Sequence, residues 1–91
     1  MKRVHIIIEG RVQGVCFRAY ARDKANTLGL KGWVKNLYSG NEVEIVAEGD
    51  DKKIKEFVDW CRQGPSGANV NNVKIEDEES TDEFEKFMIK F

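Results

Sequence analysis

The stretch from Glu9 to Arg18 combines residue types that could bind a phosphate group. Two glycines in it bracket an arginine and a glutamine, and a second arginine follows an aromatic residue. A glycine-rich joint between a strand and a helix can turn several backbone N–H groups toward one point, at the positive end of the helix dipole. An arginine beside such a point can donate to two phosphate oxygens at once. The sequence therefore predicts an anion site in this loop.

The position of Arg18 at the start of the following helix strengthens this prediction. Phe17 fits the apolar stripe of that helix, so Arg18 points about 100° away from it. In the first turn of the helix, this direction returns the arginine over the loop. The simpler interpretation is that Gly10 and Gly14 only form a tight turn and that Arg11 and Arg18 only add solubility. The conjunction of these residues in one joint favours the anion site.

The elements that position the loop follow from the apolar periodicity. Val4, Ile6 and Ile8 alternate with other residues, as in a strand with one buried face. Phe17 begins a stripe with helical spacing, and Asp50 is the expected N-cap of a second helix. The predicted elements are strand 3–9, helix 15–28, strands 31–37 and 42–48, a helix with the stripe 54–61, strand 70–75 and a short last strand within 87–91.

The order β-α-β-β-α-β is that of the ferredoxin-like split βαβ sandwich, an α+β fold. Right-handed crossovers place both helices on one face of a four-stranded antiparallel sheet, to which the last segment could add a short fifth strand. Strands one and two are then parallel, with strand three between them, so the C-terminal end of strand two lies at the same end of the sheet as the loop. The chain is expected to form one domain, 1–91. The acidic run 76–83 is predicted to be a solvated loop, because like charges repel each other.

Two segments of the chain resemble the signatures of the acylphosphatase family. Residues 10–18 are similar to the family's first signature, and residues 32–36 are similar to its second, which lies on strand two. Similar segments at 46–49, 64–65 and 87–91 extend the resemblance over nearly the whole chain. The resemblance implies a small enzyme that hydrolyses the carboxyl–phosphate bond of acyl phosphates. Inorganic phosphate or sulfate is then the expected product-like ligand.

The resemblance also implies which residues act. It makes Arg18 the residue that binds the substrate phosphate and Asn36 the residue that positions the attacking water, so these two are the predicted catalytic residues. The backbone of the first signature wraps the phosphate. The phosphate-binding residues implied in this way are Gln13, Gly14, Val15, Cys16, Phe17 and Arg18.

The chemistry of the substrate agrees with this set of residues. A carboxylate leaving group is a weak base and departs without a proton, so no general acid is required. Because phosphoryl transfer depends on positioning and electrostatic stabilisation, we expect in-line attack by water without a covalent intermediate. No cluster of Asp, Glu and His with ligand spacing lies near the loop, so neither a metal nor another cofactor is expected. His5 is the only histidine and is interpreted as a structural residue of the first strand.

The two cysteines, Cys16 and Cys61, are too few and too far apart for a zinc motif. We expect buried or half-buried thiols. A disulfide between them remains open if the two helices that carry them are neighbours.

The overall charge narrows the range of partners. Fifteen basic and sixteen acidic residues give a net charge of −1, which gives no reason to expect broad binding to nucleic acid or to an anionic membrane. No apolar run could span a bilayer and no signal peptide is evident, so the expected form is a cytoplasmic monomer that binds a small acyl phosphate.

Two other functions remain open at this point. The first is a non-catalytic module that binds acyl phosphate, carbamoyl phosphate or another small anion. The second is an RNA-binding sheet, which needs exposed aromatic residues on the central strands. On predicted strands one and three, the available positions carry Ile7, Glu44 and Val46, none of which is aromatic. An RNA-binding sheet is therefore the weaker alternative.

Overall fold

A computed structural model describes all residues from 1 to 91. Two helices pack on one face of a five-stranded sheet with the strand order β4-β1-β3-β2-β5. This architecture confirms the predicted ferredoxin-like α+β fold. The elements in chain order are β1 (Lys2–Arg11), α1 (Phe17–Thr27), β2 (Lys31–Asn36), β3 (Glu42–Gly49), α2 (Asp51–Gln63), β4 (Asn69–Glu78) and β5 (Phe87–Ile89).

The pairing of the strands brings the loop after β1 close to the end of β2. Both β1 and β2 pair antiparallel with β3, so they run parallel to each other with β3 between them, as predicted. The fifth strand left open by the sequence is present. It pairs parallel with β2, so the sheet is mixed rather than wholly antiparallel.

The core between the sheet and the helices fixes the start of α1. Phe17, in the first turn of α1, is 1% exposed, and its ring centre lies 5.4 Å from that of Trp60 in α2. The N-cap of α2 is Asp50, as predicted, and its carboxylate accepts from the N–H groups of Lys52 and Lys53. Burial of an aromatic ring of this size contributes about 2 kcal/mol, so the first turn of α1 is firmly anchored. The other fully enclosed side chains of the core include Val4, Ile6, Ile8, Ala21, Ala25, Val34, Ile45, Phe57 and Cys61.

Two predicted boundaries are wrong. Helix α1 begins at Phe17 rather than near residue 15, because Cys16 has a left-handed backbone conformation with φ 62°. The acidic run is not simply a solvated loop, since β4 continues to Glu78. Arg3 lies opposite Glu78 in the sheet and donates to Glu78 (2.9 Å) and to Glu83 (2.7 Å). The repulsion within the run is therefore relieved by a cation from β1.

The connection between β4 and β5 is built around the buried carboxylate of Glu48, which is 1% exposed. Its oxygens accept from the Ser80 hydroxyl (2.5 Å) and from the backbone N–H groups of Thr81 (2.8 Å) and Asp82 (3.0 Å). Burial alone would raise the pKa of Glu48. The three hydrogen bonds and the charge of Arg3 outweigh burial, so the pKa lies below its usual value. A charged Glu48 thus orders the segment that leads into β5.

This carboxylate makes the protein sensitive to acid. Because its pKa is lower in the folded than in the unfolded chain, Glu48 stabilises the fold above about pH 4.5, and this stabilisation is lost as the pH falls through the folded value. We expect Glu48→Gln to lower the free energy of unfolding at pH 7 by about 2 kcal/mol. Urea denaturation between pH 7 and pH 3 should also give a shallower acid slope for this variant than for the parent.

The matched control for this prediction is Glu85→Gln. Glu85 is exposed and has no hydrogen-bond or ion-pair partner, so its variant should follow the parent at every pH. Part of the acid slope should persist in Glu48→Gln, because hydrogen bonds also lower the pKa values of Glu9 and Glu83. An unchanged slope in Glu48→Gln would contradict the role of this carboxylate.

Candidate active site

The backbone requires two glycines here, Gly10 near the end of β1 and Gly14 in the loop between β1 and α1. At Gly10 the register between β1 and β4 shifts, φ is 135°, and a Cβ atom would overlap the carbonyl oxygen of Asn69. Gly14 has φ 74°, in the left-handed region that favours glycine. Its Cβ position faces open space, so the constraint there is conformational. The glycines thus form a tight turn and also shape the entrance to α1.

The start of α1 presents a series of backbone donors. No backbone N–H from Gly14 to Ala19 donates to a backbone oxygen, and α1 has no side-chain N-cap. The first bonded N–H of the helix is that of Tyr20, which donates to the carbonyl oxygen of Cys16 (3.1 Å). Successive free donors at the positive end of a helix form a site for an anion.

A cavity of about 400 Å³ opens beside these donors and contains both predicted catalytic side chains. Of the six residues expected to bind phosphate, Gln13 and Val15 do not line it. The lining residues are Val12, Gly14, Cys16, Phe17, Arg18, Ala19, Asn36, Ile89 and Phe91. The structure therefore brings the loop, Arg18 and Asn36 to one place, as the topology predicted.

Arg18 is free to bind an anion. Its guanidinium carbon lies 5.0 Å from the ring centre of Phe91. None of the ion pairs of the chain involves Arg18. A cation–π contact places the charge over the ring and uses no hydrogen-bond acceptor. The charge of Arg18 is not neutralised by a carboxylate, so the guanidinium remains available to an anion.

Asn36 supplies an acceptor without a partner. It is the last residue of β2, and its side chain lines the cavity. Its Oδ1 atom is the one buried side-chain nitrogen or oxygen in the chain that has no hydrogen bond. A buried acceptor left in this state costs free energy. A donor that reaches this atom, such as a water molecule, would relieve that cost.

The side chain of Gln13 is occupied by hydrogen bonds to the β2–β3 hairpin. Its Nε2 atom donates to the carbonyl oxygens of Leu37 (2.7 Å) and Glu42 (2.9 Å), at the end of the β2–β3 hairpin. Its side chain therefore faces the hairpin, and its backbone is what remains for the predicted contact with phosphate. These hydrogen bonds join residues 24 and 29 positions apart, so no local pattern could have revealed them.

The predictions for the cysteines are partly wrong. Cys16 is exposed rather than buried, because its left-handed backbone at the start of α1 turns it to the rim of the cavity. Cys61 is buried in α2, and burial raises the pKa of its thiol. Both thiols are free, so the disulfide that the sequence left open is not formed.

This difference predicts two rates of reaction with a thiol reagent. With Ellman's reagent at pH 8, Cys16 should react promptly in the native protein. Cys61 should react roughly 100-fold more slowly, or only in denaturant, because the protein must first open. Mass spectrometry of the labelled chain should therefore show one adduct before unfolding and two after it. In Cys16→Ser the fast adduct should vanish, and two fast adducts in the parent would contradict the burial of Cys61.

The remaining candidates lie away from the cavity. His5 Nε2 is 2.7 Å from Glu44 Oε2, on the face of the sheet opposite the helices. No group of three or more His, Cys, Asp or Glu side chains is placed to hold a metal ion. Neither helix is long and apolar enough to cross a membrane.

The chain is similar to known acylphosphatases over its full length. The family model described as "Acylphosphatase" matches residues 4–89. An acylphosphatase of Methylococcus capsulatus is 48% identical over 89 residues, which are 98% of this chain and 96% of the relative. The crystal structure of acylphosphatase from Bacillus subtilis has a TM-score of 0.95 and 35% identity, and all of both chains is covered. An acylphosphatase from Coxiella burnetii has a TM-score of 0.92 and 40% identity, with 98% of this chain and 92% of the other covered. The chain therefore belongs to the acylphosphatase family, an enzyme family whose function is the hydrolysis of acyl phosphates.

Proposed function

We propose that this chain hydrolyses the carboxyl–phosphate bond of small acyl phosphates by direct attack of a positioned water, with neither a metal nor a covalent intermediate. The proposal is carried by one observation: residues of the loop with free N–H groups, Arg18 without an ion pair, and Asn36, whose Oδ1 has no hydrogen bond, all line one cavity. The first two are donors for an anion, and the third is an acceptor for a neutral nucleophile.

The donors act on the phosphoryl group. In this proposal the N–H groups between Gly14 and Ala19, together with Arg18, bind its non-bridging oxygens. Charge spreads over these oxygens in the loose transition state of phosphoryl transfer. Donors already oriented toward them stabilise that charge without reorganisation. Inorganic phosphate, the product, occupies the same donors and is the expected competitive ligand.

The acceptor acts on the nucleophile. Asn36 Oδ1 takes a hydrogen bond from a water, which directs a lone pair of that water toward phosphorus. A bond forms between phosphorus and the water oxygen while the bond to the acyl oxygen breaks, and its electron pair leaves with the carboxylate. An amide is a poor base, so the proton of the water passes to a phosphate oxygen or to solvent.

The form and location of the enzyme are part of the same proposal. In this proposal the enzyme acts as a monomer, with its cavity formed by the β1–α1 loop, α1, the end of β2 and the C-terminal residues 89 and 91. The exposed thiol of Cys16 suits the cytoplasm, which keeps such groups reduced. An RNA-binding sheet has less support, because Glu44 on the open face pairs with His5 and Val46 is only 3% exposed.

The test is the hydrolysis of benzoyl phosphate with and without EDTA. The reaction is measured by the release of inorganic phosphate. We expect turnover of equal rate in both conditions, and competitive inhibition by phosphate. A non-catalytic binding module would instead bind phosphate, seen by calorimetry, without accelerating its release from the substrate. Loss of activity on chelation would contradict the metal-free mechanism.

A further inference from the structure

The side chain of Gln13 connects the two halves of the candidate active site. It belongs to the loop that offers the free N–H groups, yet its two amide hydrogens bond to carbonyl oxygens of the β2–β3 hairpin. One acceptor is Leu37 O, in the residue that directly follows Asn36. The other is Glu42 O, which also accepts from the N–H of Leu37 (3.0 Å) and so closes the hairpin.

These hydrogen bonds exclude a direct contact between the Gln13 side chain donors and a phosphate, and they indicate a role in fixing the end of β2. A carboxamide has two N–H donors, and both are occupied by the hairpin. The side chain therefore has no donor left for a phosphate. Its partners instead fix the end of β2, and the end of β2 carries Asn36.

We propose that Gln13 is a positioning residue that sets the place of Asn36, and of the water on it, relative to the phosphate. This inference rests on the proposed function. The end of β1 also contacts the hairpin through its pairing with β3, where Glu9 lies opposite Glu42, and through the N–H of Gly10, which donates to Asn41 O (2.9 Å) in the turn. Gln13 is thus the loop side chain that bonds next to Asn36. Asn36 stays paired with Val43 of β3 when Gln13 is replaced, so the loss lets the end of the hairpin shift relative to the loop and leaves the free N–H groups of the loop unchanged.

The test variant is Gln13→Met, which keeps the length of the side chain and removes both donors. Misplacement of a reacting group by about 1 Å costs about 100-fold in rate. We therefore expect kcat for benzoyl phosphate to fall at least about tenfold, with the Kd for inorganic phosphate within about twofold of the parent. A second variant, Gln13→Asn, keeps the amide but is too short to reach both carbonyls, and it should show the same split if Gln13→Met folds poorly.

A double-mutant cycle with Asn36→Ala separates positioning from other roles. If Gln13 acts through Asn36, then Gln13→Met should change kcat by less than about twofold once Asn36 is alanine. An equal loss of kcat in both backgrounds would overturn the inference, as would a parallel loss of phosphate affinity or full activity of Gln13→Met. Ile54→Val, a core change in α2 on the far side of the molecule from the hairpin, controls for destabilisation and should keep the parent kcat.

A readout without catalysis distinguishes failure of this inference from failure of the proposed function. In ¹⁵N-edited NMR spectra, the side-chain NH2 resonances of Asn36 should shift in Gln13→Met and keep their positions in Ile54→Val. Resonances that do not move would overturn the positioning role, whatever the activity. An inactive parent with shifted resonances would instead overturn the proposed function and leave Gln13 as a residue that positions Asn36.

Discussion

Arg18→Ala should lower kcat/KM for benzoyl phosphate by about 1,000-fold and weaken the binding of inorganic phosphate. Removal of one oriented donor from a site that stabilises developing charge costs 100- to 1,000-fold in rate as an order-of-magnitude estimate. Arg18 offers a full positive charge in addition to its donors, and no carboxylate in the chain competes for it. The loss should therefore appear in both kcat and phosphate affinity, measured by initial rates and by calorimetry.

Two further variants sharpen this result. Arg18→Lys keeps the positive charge but loses the planar guanidinium that can donate to two oxygens at once. Compared with Arg18→Ala, it should therefore restore phosphate affinity more than turnover. Arg22→Ala removes an arginine one turn further along α1 that pairs with Asp23 (3.2 Å), and it should keep the parent kinetics. If Arg22→Ala and Arg18→Ala lost activity to the same extent, general electrostatics and not the site would explain the effect.

The signal that made Arg18 predictable is local. The apolar stripe that begins at Phe17 sets the rotation of α1, and one step along the chain sets the direction of Arg18. Asn36 was singled out by the resemblance to the family's second signature and not by a local pattern. Its approach to the loop depends on β3 lying between β1 and β2, which the β-α-β-β-α-β order made feasible.

The features that escaped prediction depend on contacts between distant parts of the chain. Glu48 reads as one more polar residue at the end of a strand, while its partner Ser80 lies 32 positions away. The acidic run was expected to be solvated because like charges repel each other. Arg3, 75 positions from Glu78 in the sequence, supplies the compensating positive charge. The exposure of Cys16 follows from one left-handed residue that is not glycine, a conformation that sequence patterns do not favour there.

Asn36→Ala should lower kcat by about 100-fold while the affinity for inorganic phosphate stays within about twofold of the parent. The alanine removes the unpartnered Oδ1 atom and leaves the loop donors and Arg18 in place. The variant should also be no less stable than the parent in urea, because a buried acceptor without a hydrogen bond does not stabilise the fold. This combination of lost turnover, unchanged binding and unchanged stability is specific to a residue that holds the nucleophile.

Asn36→Asp tests whether the side chain at this position lies close to the bound phosphate, because it adds a negative charge there. An aspartate keeps an acceptor oxygen at nearly the same place, but its negative charge repels the substrate phosphate across the cavity. Relative to the parent at the same pH, we expect Asn36→Asp to bind phosphate more weakly at pH 8, and the difference to shrink toward pH 4, where about half of an ordinary aspartate is neutral. Asn36→Ala should stay close to the parent at both pH values. If Asn36→Asp bound phosphate as tightly as the parent at pH 8, the Asn36 side chain would lie too far from the phosphate to direct a water onto it.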